Sequence, residues 1–118
     1  MIRHFVAFAA LCVIANGAVA GKIELVAGGG TGGDGSPAMQ AKLVQPFAID
    51  FADDGTIYFV EMAGGDRLRA IDLEGKIRTL AGTGTKGFSG DGGPGKDAQL
   101  DGPHGLAIGK DGIIYIAD

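Results

Sequence analysis

Few side chains in this sequence are suited to chemistry. It holds two histidines, His4 and His104, and one cysteine, Cys12, so neither a paired-histidine metal site nor a thiol nucleophile with a histidine base can be assembled from neighbouring residues. His104 is left as the one candidate catalytic residue. Packing explains it equally well, because the position aligned with it in an internal repeat is Phe47, also a ring. Glycine spacing offers more apparent matches. Gly28-x-Gly30-x-x-Gly33 and Gly82-x-Gly84-x-x-Gly87 both have the dinucleotide fingerprint, which works only where a helix begins inside it and turns its N–H groups towards the pyrophosphate. Gly35-Ser36-Pro37 and Gly92-Gly93-Pro94 leave at best a single helical turn. Gly90 to Lys96 has phosphate-loop spacing, yet Asp97 stands where Ser or Thr must ligate magnesium. Gly29 to Asp34 fits half of a calcium-binding nonapeptide, without the large apolar residue at position 36 or a tandem copy. A lone calcium on Asp34 or Asp91 therefore competes with a plainer role, an Asp fixing a turn through its own backbone; no other cofactor is expected.

The elements that would position these groups are set by the rest of the chain. With 118 residues there is room for one ordinary domain, and 46% hydrophobic against 20% charged residues places it outside the range of disordered chains. A formal charge of −4 supplies no basic footprint, so nucleic acid and anionic lipid are not expected partners. Residues 1–20 read as a secretory signal peptide: Arg3 and His4, an apolar run from Phe5 to Ile14, then Ala18-Val19-Ala20 before cleavage. That run is too short to span a bilayer. The mature chain, residues 21–118, then has no cysteine, carries nine basic against fourteen acidic residues, and belongs in the periplasm or outside the cell.

An internal repeat decides more than any single motif. Residues 34–61 align without a gap on residues 91–118 at an offset of 57. The identical pairs are Asp34/Asp91, Gly35/Gly92, Pro37/Pro94, Ala41/Ala98, Leu43/Leu100, Pro46/Pro103, Asp54/Asp111, Gly55/Gly112, Ile57/Ile114 and Tyr58/Tyr115. Upstream, Val26-Ala27-Gly28 matches Leu80-Ala81-Gly82 at an offset of 54, so the first glycine loop is three residues shorter. Each unit reads as short strands joined by tight turns. Strands are predicted from Phe47 to Ala52, Ile57 to Val60, Leu68 to Asp72 and Ile77 to Ala81, then from Leu106 to Ile108 and Ile113 to Ala117. Asp54-Gly55, Glu74-Gly75 and Asp111-Gly112 are the turns, where Gly supplies positive φ without steric cost. Ile57 to Val60 and Ile113 to Ile116 are apolar on both faces and should be buried on both sides; Leu68 to Asp72, flanked by Arg67, reads as nearer an outer edge. Lys22 to Ala27 reads as a last strand without earlier partners.

Four-stranded units at this period describe the blades of an all-β fold, the β-propeller. The stretches Arg67 to Asp72 and Gly75 to Gly82 resemble the outer strands of NHL-repeat β-propellers. Gly87 to Pro94, Ala98-Gln99-Leu100 and Pro103 to Ala107 resemble the inter-blade loop and inner strand of that family's longer-looped members, bacterial extracytoplasmic proteins and the teneurin propeller among them. Gly64-Gly65-Asp66 departs from the family at the corner where an Asn-His pair often precedes the Arg. The resemblance implies an N-terminal fragment of such a propeller, about one and a half blades, with Lys22 to Ala27 as the strand that closes the ring. Closure would then need further blades or self-association. It implies a non-catalytic scaffold binding an unidentified protein or glycan, although stacking on sugars has little to draw on with no Trp present. The alternative it leaves open is a channel-metal enzyme of lactonase or lyase type, with His104 just before an inner strand, where such enzymes place channel groups.

Overall fold

The computed structural model describes residue 21 and residues 23–118; the predicted signal segment lies outside them. The chain is all-β, with a four-stranded antiparallel sheet in the order β1-β2-β3-β4 and a separate two-stranded antiparallel sheet, β5-β6. The strands are β1 (Pro46–Phe51), β2 (Ile57–Glu61), β3 (Arg67–Ile71), β4 (Ile77–Ala81), β5 (Gly105–Ile108) and β6 (Ile114–Ala117). All six predicted strands of the two repeat units are present, shifted by a residue or so. The hairpin glycines adopt the left-handed backbone that the turns require: φ is +94° at Gly55, +74° at Gly75 and +79° at Gly112.

The sequence repeat is also a repeat of hydrogen bonds. Lys42 N–H donates to Gly32 O and Gln99 N–H to Ser89 O; Gln40 N–H donates to Pro37 O and Asp97 N–H to Pro94 O. A one-turn 3-10 helix follows each proline, Ala38–Gln40 and Gly95–Asp97. No α-helix starts in either glycine loop, and no helix among the described residues is long and apolar enough to cross a membrane.

Side chains alternate between the two faces of the sheet. Register places Ile57, Phe59, Ile71 and Ile77 on one face, together with Arg69 and Thr79. The chain's own loop covers much of that face: Ala38 and Ala41 pack with Phe59, Ile71 and Ile77 in the buried core, and Ala27 and Leu43 flank them. The opposite face, with Val60, Leu68 and Ala70 buried, lies towards the second repeat unit. There β5 packs beside β1 and β2, and the Ile108 N–H donates to the Asp50 carboxylate at 2.9 Å.

The free edge of β4 is covered by the glycine loop. Gly35 N–H donates to Ile77 O (2.8 Å), Ile77 N–H to Ser36 O (3.1 Å) and Ala38 N–H to Gly75 O (2.8 Å). Backbone groups that would otherwise offer an unpaired strand edge are thereby satisfied.

Three expectations are corrected. Residues 23–27 form no strand among the described residues, and Ile23, Leu25 and Val26 are exposed. The charged strand β3 stands third in the sheet, nearer an outer edge as expected, yet it is not solvated: Leu68 to Ile71 are buried, with Arg69 only 5% exposed. The strand β6 is not buried on both sides, since Tyr115 on its outward face is 57% exposed.

Candidate functional site

A polar cleft of about 740 Å³ lies where the glycine loop meets the ends of β2, β3 and β4, lined among others by Asp34, Lys42, Glu61, Arg67, Arg69 and Thr79. At its floor Arg69 joins two carboxylates. Its Nη1 donates to Glu61 Oε2 at 3.0 Å and its Nη2 to Asp34 Oδ1 at 3.0 Å. Glu61 is fully buried, and its second oxygen accepts the Val44 N–H at 2.9 Å. Asp34 is half-exposed and also accepts the Thr79 N–H and hydroxyl, both at 3.0 Å.

Local structure explains why these groups meet. The glycine loop runs antiparallel along β4, so the residue at its start, Asp34, falls opposite Thr79. Register puts Glu61 at the end of β2 on the same face as Arg69, and the pairing with β4 shifts between Leu68 and Arg69, with Leu80 the extra residue on β4. Buried charge of this kind persists only when paired and hydrogen-bonded. Arg69 Nε is the exception, buried with no hydrogen-bond partner among the described residues. Every carboxylate oxygen of Asp34 and Glu61 already has a donor. The cluster thereby fixes the loop on the sheet.

A second acidic group works in the same way. Asp66, buried with φ at +45°, accepts the Gly64 N–H (3.3 Å) and, across to the second unit, the Gly102 N–H (3.0 Å). Arg67 next to it donates to Gly65 O and Thr83 O. These bonds hold the corner at Gly64-Gly65-Asp66.

The residues singled out in the sequence do not converge. His104 is exposed; its N–H donates to Ala117 O at 2.9 Å, extending the β5-β6 pairing, and its Nδ1 lies 3.2 Å from Gly102 O. Among the described residues, no group of three His, Cys, Asp or Glu side chains could hold a metal ion. Asp34 does not fix its own turn, since its partners are 35 and 45 residues away. Asp91, its repeat mate, is exposed and has no side-chain partner among the described residues. Sequence reasoning missed Glu61 and Arg69 altogether. The signal available was the repeat itself: Glu61 aligns with Asp118, and the Val44 N–H to Glu61 bond recurs as Asp101 N–H to Asp118 Oδ1 at 2.8 Å.

At the turns, carboxylates serve structure. The Thr56 N–H, at 2.8 Å, and the Thr56 side chain hold the Asp54 carboxyl below its ordinary value. The Lys76 N–H does the same for Asp72, helped by the Glu74 N–H and the nearby charges of Arg78 and Lys76. Lys86 is shifted up by its 3.0 Å pair with Asp101.

No family model matches the sequence. Over 77 residues the chain is 38% identical to the chloroplastic protein SUPPRESSOR OF QUENCHING 1 of Arabidopsis thaliana, covering 64% of this chain and 7% of that protein. Over 93 residues it is 31% identical to human teneurin-1 and 32% identical to human teneurin-4, in each case covering 69% of this chain and 3% of the teneurin. A solved structure of a protein of unknown function from Bacteroides thetaiotaomicron overlays with a TM-score of 0.65 at 29% identity, over 73% of this chain and 21% of that one. The chain thus spans less than a tenth of the length of these curated relatives.

Proposed function

We propose that residues 21–118 are part of an exported NHL-repeat β-propeller that acts as a non-catalytic scaffold for a protein or other ligand. The observation that carries this reading is the structural repeat. Two units with the same 3-10 turn, the same inner hairpin and related glycine loops pack together, and a ring of such sheets is how a propeller is built. Likeness to the teneurins and to a larger solved structure supports it. The scaffold role draws on the site: its carboxylates are tied to donors, and His104 stands apart from them, exposed. Export draws on the composition of residues 1–20.

The test is to read the frame beyond codon 118, express what it encodes, and assay it. Further copies of the unit are expected, together with no lactone or ester hydrolysis after loading with calcium or zinc. Unrelated sequence after residue 118 would overturn the propeller. Turnover that is lost on chelation and in His104→Ala would overturn the scaffold role.

A further inference from the structure

The polar cleft above the buried cluster holds more positive charge than the cluster uses. Four cations line it, Lys42, Arg67, Arg69 and Lys96, against two carboxylates, Asp34 and Glu61. Both carboxylates pair with Arg69, which leaves the other three cations without one. Among the described residues, Lys42 and Lys96 are exposed and have no ion-pair partner. Arg67 donates to the carbonyl oxygens of Gly65 and Thr83, so its guanidinium is held in place without being neutralised. It lies in space that Gly84 leaves free, since a Cβ there would clash with it. This positive charge gathers at one place on a chain whose formal charge is −4.

The repeat shows which of these residues the local fold requires. Asp34 recurs as Asp91, and Glu61 as the acidic Asp118, but Gln99 stands where Lys42 would recur and Met39 is the mate of Lys96. Lys42 and Gln99 make the same backbone bond, and the 3-10 turn forms with either Met39 or Lys96 at its centre. The two lysines therefore serve something other than the folding of their loops. The remaining wall is backbone of five glycines and the side chains of Thr31, Thr79 and Thr83, with Val44 as the one apolar side chain. Most small-molecule pockets are largely apolar, so this lining selects a ligand that is polar throughout.

We propose that the cleft binds a small hydrophilic oxyanion, a molecule with at least two carboxylate or phosphate groups, held by Lys42, Arg67 and Lys96. These cations come from three separate elements, the loop before β1, the start of β3 and the second 3-10 turn, which suits a ligand charged at more than one place. The proposal names a ligand class for the scaffold and rests on that reading; it draws on residues 31–96 and on no exposed face of β1 or β6.

The experiment titrates the full-length product of the reading frame, with any further units in place, with citrate and with pyrophosphate by calorimetry at fixed ionic strength. At least one of the two should bind with a Kd of about 1 mM or tighter; preference for citrate assigns a carboxylate ligand and preference for pyrophosphate a phosphate one. Lys42→Gln and Lys96→Met each install the repeat mate at an exposed position, so the fold should be unchanged by circular dichroism. Each should weaken binding roughly five- to tenfold, and the pair more than either, while Lys110→Gln, away from the cleft, should leave it unaltered. Binding of neither probe by the parent would overturn the proposal, and so would a double variant that binds as tightly as the parent. Neither result depends on whether further units follow codon 118 or on turnover, so failure here is distinguishable from failure of the propeller and scaffold readings.

Discussion

Glu61→Ala is the sharpest test of the buried cluster. The Glu61 side chain is fully buried; one oxygen accepts the Val44 N–H and the other pairs with Arg69 at 3.0 Å. Truncation leaves the Arg69 guanidinium, itself 6% exposed, with Asp34 alone, and that carboxylate is 52% exposed and partly screened by water. Breaking a buried pair from one side costs about 3–5 kcal/mol, and the stranded Val44 amide adds about 1 kcal/mol or more. A total of about 4–6 kcal/mol is a large share of the roughly 5–15 kcal/mol that holds a domain together. Asp34→Ala removes the screened partner and should cost about 1–2 kcal/mol. The assay is urea unfolding of both variants by far-UV circular dichroism. With a slope of about 1.5 kcal/mol per molar, Glu61→Ala should lower the midpoint by roughly 3–4 M and Asp34→Ala by about 1 M. A Glu61→Ala protein within about 1 kcal/mol of the parent, or an Asp34→Ala protein less stable than it, would refute the reasoning.

Two further outcomes follow from geometry at the turns. Gly82 has φ at +88°, and a Cβ there would clash with the Asp66 carbonyl oxygen, so Gly82→Ala should cost about 3 kcal/mol or more by urea unfolding. Gly75→Ala, with φ at +74° and open space around it, should cost only about 1–2 kcal/mol, and equal losses would show that the close approach carries no weight. The acid limb of stability should report Asp54 and Asp72. Their folded values lie below the ordinary 3.8, so the stability they contribute is present above that value and is lost as pH falls through the lower folded value. Asp54→Ala and Asp72→Ala should each flatten the fall in melting temperature below about pH 4; a fall as steep as in the parent would count against these turn bonds.

Strands and turns were legible in the sequence because their causes are local. Apolar runs of four to six residues ending at Asp-Gly or Glu-Gly leave little choice but a hairpin, and a gapless offset of 57 announces the second unit before any contact is known. Burial was harder to read. Arg67 and Arg69 made β3 look like a solvated strand, since charge is normally solvated; only the arrival of Asp34 and Glu61 from distant positions lets Arg69 be buried. The segment at 23–27 has a strand's composition and forms no strand among the described residues; a ladder needs a neighbour, and composition cannot supply one.

By itself, then, the sequence determined which segments extend, where they turn and that the pattern is repeated, all consequences of local sterics and of side-chain type. The tertiary structure decided which face of each sheet meets which, that the glycine loop seals the β4 edge, and that Asp34, Glu61 and Arg69 form one cluster. Those outcomes depend on register and on contacts between residues up to 58 positions apart, where a slip of one residue would send each side chain to the opposite face.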